Sequence, residues 1–198
     1  EWFARLASLE QVSLAYVTGR DQNLVKEAID EYSLPIPGFI LADVGSSLYT
    51  CAGWDWTLST DWQEKIGADL GAYNLTDLAA RLDTVEGLML QESFRQNRYK
   101  LSYYSPQNID PIRLDEQIQV RLRDINVNVN LIWSIDELTG RGLLDILPSS
   151  ANKRHGIEFL MECYGYALDN TLFCGDSGND LPVLVSPIRS ILVRNAAV

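Results

Sequence analysis

Apolar positions along this chain follow two patterns. Near both ends, short apolar runs alternate with stretches in which apolar residues recur every three or four positions. Trp2, Phe3, Leu6 and Leu9 have helical spacing. Ser13-Leu14-Ala15-Tyr16-Val17 and Phe39-Ile40-Leu41-Ala42 predict strands. Between them, Asp21 predicts the N-cap of a helix running to Tyr32, with Leu24, Val25, Ala28 and Ile29 as its apolar stripe. Leu34-Pro35-Ile36-Pro37-Gly38 interrupts that pattern. Towards the other end, Ser150 predicts the cap of a helix carrying Ile157, Leu160, Met161 and Tyr164. Thr171–Cys174 and Ser190–Val193 then predict two more strands. Continuous apolar strands alternating with helices predict a parallel sheet covered on both faces.

The middle of the chain is patterned differently. Gly53 to Trp62 holds three tryptophans without a clean period, as a hairpin or irregular lead-in would. Leu75 to Leu82 predicts a helix, and Asn74 reads as its cap rather than as a glycosylation site. Leu114 to Asp124 predicts another helix. Tyr99–Tyr104 and Val127–Trp133 alternate as half-buried strands, and Leu143–Leu147 is a further strand. Alternation puts Lys100 and Ser102 on one face and Leu101 and Tyr103 on the other, so the polar stripe faces either water or a ligand. The expected architecture is α/β. A doubly wound, Rossmann-like parallel-sheet core (residues 1–60 and 149–198) is interrupted by an inserted α+β cap (residues 61–148) with one open sheet face.

Charge narrows the partners. With 27 acidic and 16 basic residues the net charge is -11, which argues against nucleic acid or an anionic membrane as the main partner. An anionic small molecule stays compatible, because a metal and a few local cations override the global sign. Cys51, Cys163 and Cys174 lack metal-ligand spacing and fit reduced thiols of a cytoplasmic protein. Cys174 is expected to pack as a small strand residue. No apolar run approaches a membrane span, and no signal-peptide pattern is present. The opening Glu1 and the stop shortly after the last strand suggest a fragment of a larger protein.

The densest chemistry lies in Gly175-Asp176-Ser177-Gly178-Asn179-Asp180, directly after a predicted strand, with Leu181-Pro182 opening a helix behind it. Open α/β sheets bind ligands in such loops. Close carboxylates repel unless a cation lies between them, and hard oxygen donors suit Mg²⁺. A glycine-rich turn with an Asp cap is the plainer alternative. Thr18, in Val17-Thr18-Gly19-Arg20, either ends a strand or offers a hydroxyl to phosphate oxygens. Lys153 begins a helix, where a cation is disfavoured, so it is either solvated or held by an anion. His155, the single histidine, reads as structural or exposed.

Taken in order, these pieces resemble the haloacid dehalogenase superfamily of phosphohydrolases, in its sucrose-phosphate phosphatase-like branch. The resemblance rests on Asp43-Val44-Gly45, Lys100-Leu101-Ser102-Tyr103-Tyr104, Asp145-Ile146-Leu147-Pro148 with Lys153, and the Gly175–Asp180 motif. It implies a Mg²⁺-dependent sugar phosphatase. Thr18 would bond a phosphoryl oxygen and Lys153 would neutralise charge. Asp176 would bind Mg²⁺, with Asp180 and Asn179 holding the metal's shell and Ser177 in support. Gly19, Arg20, Gln96, Lys100 and Ser102 would recognise sugar or phosphate. The family's nucleophile lies in an Asp-x-Asp pair, and no such pair occurs in these 198 residues. The expectation is therefore that the parent protein hydrolyses phosphate esters while this piece alone does not. Sucrose 6-phosphate, mannosylfructose phosphate, glucosylglycerol phosphate and glycosyl-phosphoglycerate are the candidate substrates. A non-catalytic domain that binds sugar phosphates, attached to a glycosyltransferase, is the alternative, and a phosphosugar mutase ranks last.

Overall fold

The structure is a computed structural model that describes residues 2–106, 110–136 and 139–196. In chain order the elements are α1 (Trp2–Ala7), β1 (Ala15–Val17), α2 (Gln22–Glu31), β2 (Phe39–Ala42), β3 (Ser47–Ala52), β4 (Asp55–Leu58), α3 (Thr60–Gly67) and α4 (Leu75–Leu82). There follow β5 (Met89–Leu90), β6 (Leu101–Ser105), α5 (Pro111–Leu122), β7 (Val129–Ile135), β8 (Gly142–Pro148), α6 (Lys153–Tyr164), β9 (Leu172–Gly175), α7 (Leu181–Leu184) and β10 (Arg189–Leu192). The chain divides into two units: residues up to Gln63 together with those from Asn152, and residues Glu64–Ala151.

In the first unit β1 and β2 pair in parallel, Tyr16 opposite Ile40, and β3 and β4 extend β2 in antiparallel fashion. β9 and β10 form a separate parallel pair. The fold is therefore α/β, with antiparallel strands added to a parallel core. β2 is buried at every position and has partners on both sides. Val25 and Ile29 of α2 pack on its Ile40 and Ala42. Asp21 caps α2 as its position predicts: Oδ1 accepts from the Asn23 and Leu24 amides at 2.9 and 3.1 Å. A second cluster joins Ile157 of α6 to Phe173, Val183 and Ile188, with Val17 of β1 against it. Here α6 lies close to β2. A Cβ on Gly156 would stand 2.4 Å from Leu41 Cδ2, so any larger residue there would have to push the Leu41 side chain aside.

Several expectations change. β9 is not buried on both faces: its pattern alternates, Leu172 is 61% exposed and Cys174 is exposed rather than packed. Among the described residues β9 pairs with β10 alone, and Leu172 and Cys174 stay uncovered. Gly53 to Trp62 resolves into the β3–β4 hairpin, turning at Gly53 with φ +64°, followed by the start of α3. Ser150 does not cap α6. Its amide and hydroxyl bond Asp69 instead, and Asn152 caps the helix by accepting from the His155 amide at 2.9 Å.

The second unit is an antiparallel sheet, β5-β6-β8-β7, with buried Leu78, Leu82, Leu114 and Ile118 on α4 and α5. Lys100 falls just before β6, in an isolated bridge with Asn97. The polar stripe of β6 faces neither open water nor an empty surface: Lys100 and Ser102 are both buried.

Candidate active site

Three loops leave the carboxyl ends of parallel strands, the position where open α/β sheets bind ligands. After β1 comes Thr18-Gly19-Arg20. The Thr18 amide donates to Leu41 O at 2.9 Å, and Thr18 Oγ1 accepts from the Arg20 amide at 3.1 Å. After β2 comes Asp43-Val44-Gly45. All three have positive φ (52°, 61° and 108°), which is unusual for Asp and an outlier for a β-branched Val. This turn is tied to the Thr18 loop, because the Val44 amide donates to Thr18 O and the Asp43 amide to Arg20 O. A Cβ on Gly45 would lie 2.6–3.0 Å from backbone atoms of Asn152, so only glycine lets the turn seat the start of α6.

That seating places Lys153, the first residue of α6, against the loop after β9. Lys153 Nζ donates to Asp180 Oδ1 at 2.6 Å and to Asn179 Oδ1 at 2.8 Å. The ion pair is buried, with side-chain exposures of 5% and 3%. Lys153 is thus held by an anion of the protein itself. Asp180 Oδ2 accepts from the Asp176 amide (2.9 Å), the Ser177 amide (3.1 Å) and Ser177 Oγ (3.2 Å). Burial pushes the Asp180 carboxyl up, but the Lys153 ammonium and these amides outweigh it and hold the group below the usual carboxylate range. The single Ser177 Oγ proton is shared with Asn179 Oδ1, which lies nearer, at 2.6 Å. An ideal Cβ on Gly19 would reach Val44 Cγ2 at 3.8 Å and Asn179 Nδ2 at 4.0 Å, so the Thr18 and Asp180 loops are neighbours.

The donor set contains only oxygen, which suits Mg²⁺ in kind. In number it is lean, since no group of three His, Cys, Asp or Glu side chains among the described residues is placed to hold a metal. Both Asp180 oxygens and Asn179 Oδ1 are engaged, whereas the Asp176 carboxylate is exposed and makes no bond to the described residues. One free carboxylate is enough for an ion that keeps its waters and takes other ligands from phosphate.

A sucrose-6F-phosphate phosphohydrolase family model matches residues 2–198. The chain belongs to that family. Among similar proteins, a HAD-like hydrolase of Nitrosococcus oceani is 46% identical over 192 residues, covering 97% of this chain and 52% of that protein. Sucrose-phosphatase 1 of Nicotiana tabacum is 29% identical over 197 residues, covering 94% and 42%. The chain therefore spans about half the length of these relatives, or less. Among solved structures, the sucrose-phosphatase of Synechocystis sp. PCC6803, determined with sucrose and phosphate, superposes with a TM-score of 0.77 at 30% identity, covering 93% of this chain and 70% of that one. The sucrose-6F-phosphate phosphohydrolase family thus accounts for the haloacid dehalogenase-type fold.

Of the residues singled out from sequence, the first unit brings together Thr18, Gly19, Lys153, Asp176, Ser177, Asn179 and Asp180, with Arg20 exposed at the end of the same loop. Gln96, Lys100 and Ser102 lie in the second unit. The Gln96 amide is taken up by backbone: Oε1 accepts from Ser102 N at 2.7 Å, and Nε2 donates to Ser102 O and Gln91 O. Sequence reasoning gave the Asp43–Gly45 turn no part in the site. A Gly closing a strand end was the available signal, but a left-handed Val is invisible in sequence.

Proposed function

We propose that the protein carrying this chain is a Mg²⁺-dependent phosphatase acting on a sugar phosphate, sucrose 6-phosphate or a related glycoside phosphate, through an aspartyl-phosphate intermediate. The observation that carries this reading is the buried Lys153–Asp180 pair beside the free Asp176 carboxylate, in a chain of the sucrose-6F-phosphate phosphohydrolase family. The Asp-x-Asp nucleophile pair is not among these residues, so the activity belongs to the whole protein. A cytoplasmic location is part of the proposal. The three free cysteines agree with it, and no helix among the described residues is long and apolar enough to cross a membrane.

Each residue's task follows from its bonds. Lys153 has three ammonium protons, of which two are spent on Asp180 and Asn179, and the third would reach a phosphoryl oxygen. Thr18 Oγ1 already accepts from Arg20, so its own proton would be donated to phosphate. Asp176 would hold Mg²⁺, which would neutralise charge on the transferring group. Asp180, Ser177 and Asn179 would keep Lys153 and the loop in place. Phosphoryl transfer is mainly positioning and electrostatics, so these tasks are the chemistry the site needs.

The test is phosphate release from sucrose 6-phosphate by the full-length protein. Lys153→Met and Asp176→Asn should each cost about 100-fold or more in kcat, the scale of removing one electrostatic stabiliser. Activity that survives EDTA and both substitutions would refute the reading.

A further inference from the structure

Three successive left-handed residues do not hold themselves. Backbone of that kind persists only where its surroundings over-determine it. On one flank the Asp43–Gly45 turn is held by the Thr18 loop, through the Asp43 and Val44 amides. On the other flank stand Trp62 and Gln63 of α3. Trp62 Nε1 donates to Gly45 O at 3.0 Å, and Gln63 Nε2 donates to Ser46 O at 2.7 Å. Two consecutive side chains thus take two consecutive carbonyls at the turn's exit.

The start of α3 explains how both donors reach the turn. The Ser59 amide donates to Leu48 O of β3 at 2.8 Å, which ties the helix to the sheet. Ser59 then caps α3: its Oγ accepts from the Trp62 amide at 3.2 Å and its carbonyl from the Gln63 amide at 3.2 Å. Both side chains are buried, Trp62 completely. The indole also packs on Phe159 of α6, with ring centroids 5.1 Å apart. Trp62 therefore touches both the turn and the helix that begins with Lys153. An apolar side chain would fill either place. A buried N–H needs an acceptor, and both N–H groups find theirs on the turn.

We propose that Trp62 and Gln63 are positioning residues of the phosphoryl site: their N–H groups hold Gly45 O and Ser46 O, keep the turn left-handed, and through it fix the Thr18 loop and the start of α6. They act through the turn and need no contact with the substrate. The proposal rests on the phosphatase reading for the group that is positioned.

The experiment compares Trp62→Phe, Gln63→Ala and Gln63→Glu in the full-length protein with sucrose 6-phosphate, counting only the folded fraction read from melting curves. Trp62→Phe keeps a ring against Phe159 and loses the donor. In Trp62→Phe and Gln63→Ala kcat should fall about tenfold, the scale of one lost hydrogen bond, with KM changed by less than about twofold. Gln63→Glu supplies a readout that packing alone would not move. An ionised carboxylate cannot donate to Ser46 O, whereas a protonated one can, and burial beside a carbonyl oxygen favours the protonated form. Relative to the parent at the same pH, Gln63→Glu should match Gln63→Ala at about pH 8 and recover towards about pH 5.5, while Gln63→Ala should not. Unchanged kcat in Trp62→Phe and Gln63→Ala overturns the proposal. So does a loss carried by KM alone, or a Gln63→Glu that tracks Gln63→Ala at every pH. If the parent hydrolyses no phosphate ester, the phosphatase reading fails and hydrogen exchange over Asp43–Ser46 decides: faster exchange in Trp62→Phe and Gln63→Ala supports the holding role, and unchanged exchange overturns it.

Discussion

Lys153 and Asp180 form a buried pair in which each partner removes a cost the other would impose. Removing one leaves the other desolvated and unpaired. Lys153→Met should lower stability by about 3 kcal/mol, read from urea denaturation midpoints, because Asp180 then keeps only its amide and hydroxyl donors. The pair also sets an acid limit. The folded-state carboxyl of Asp180 is held below its unfolded value, so its contribution is fully present above about pH 4. It is lost as pH falls from there through the lower folded value. Denaturation curves measured downward from about pH 6 should show this loss in the parent chain and a shallower one in Asp180→Asn. At this scale the Gly175–Asp180 motif was legible: carboxylates, amide and hydroxyl in one strand-to-helix loop do gather. The division of labour was not. Sequence places Asp176 and Asp180 on equal terms, and only the direction of Lys153 separates an engaged carboxylate from a free one.

Two elements carry more than their length suggests. The Asp43–Gly45 turn holds left-handed backbone at three successive residues and meets Asn152 where a Cβ would collide. Gly45→Ala should cost at least about 1–3 kcal/mol from backbone conformation alone and displace the start of α6. A lower melting temperature together with lost phosphate release in the full-length protein would register both effects. The segment between β8 and α6 is held by Asp69, whose Oδ2 accepts from Ser150 N at 2.7 Å, Ser150 Oγ at 2.5 Å and Ser149 Oγ at 3.2 Å. Asp69→Ala should destabilise by about 1–2 kcal/mol and speed amide exchange at Ser150, measured by mass spectrometry. This acceptor, reached across about 80 residues of sequence, explains why Ser150 is a poor guide to the start of α6. Local caps such as Asp21 and Asn74 were readable because their partners lie within three residues. Long-range partners leave no such trace.

For the molecule as a whole, strand pairing is uneven. Among the described residues β1, β4, β5, β7, β9 and β10 each have an unpaired side, and Leu172, Ile191 and Leu192 are exposed on two of them. Open edges with apolar neighbours favour association, while a net charge of -11 opposes it. Sedimentation of this chain should therefore show apparent mass rising with concentration, and more steeply once salt shortens the screening length to about 8–10 Å. The same unevenness grades the site in time. β2 is buried at every position and paired on both sides, so its amides should be among the last to exchange. The turn that seats α6 hangs from that slow strand. The region around Lys153 is then the anvil of this chain: whatever opens first around it, its seat is among the last to move.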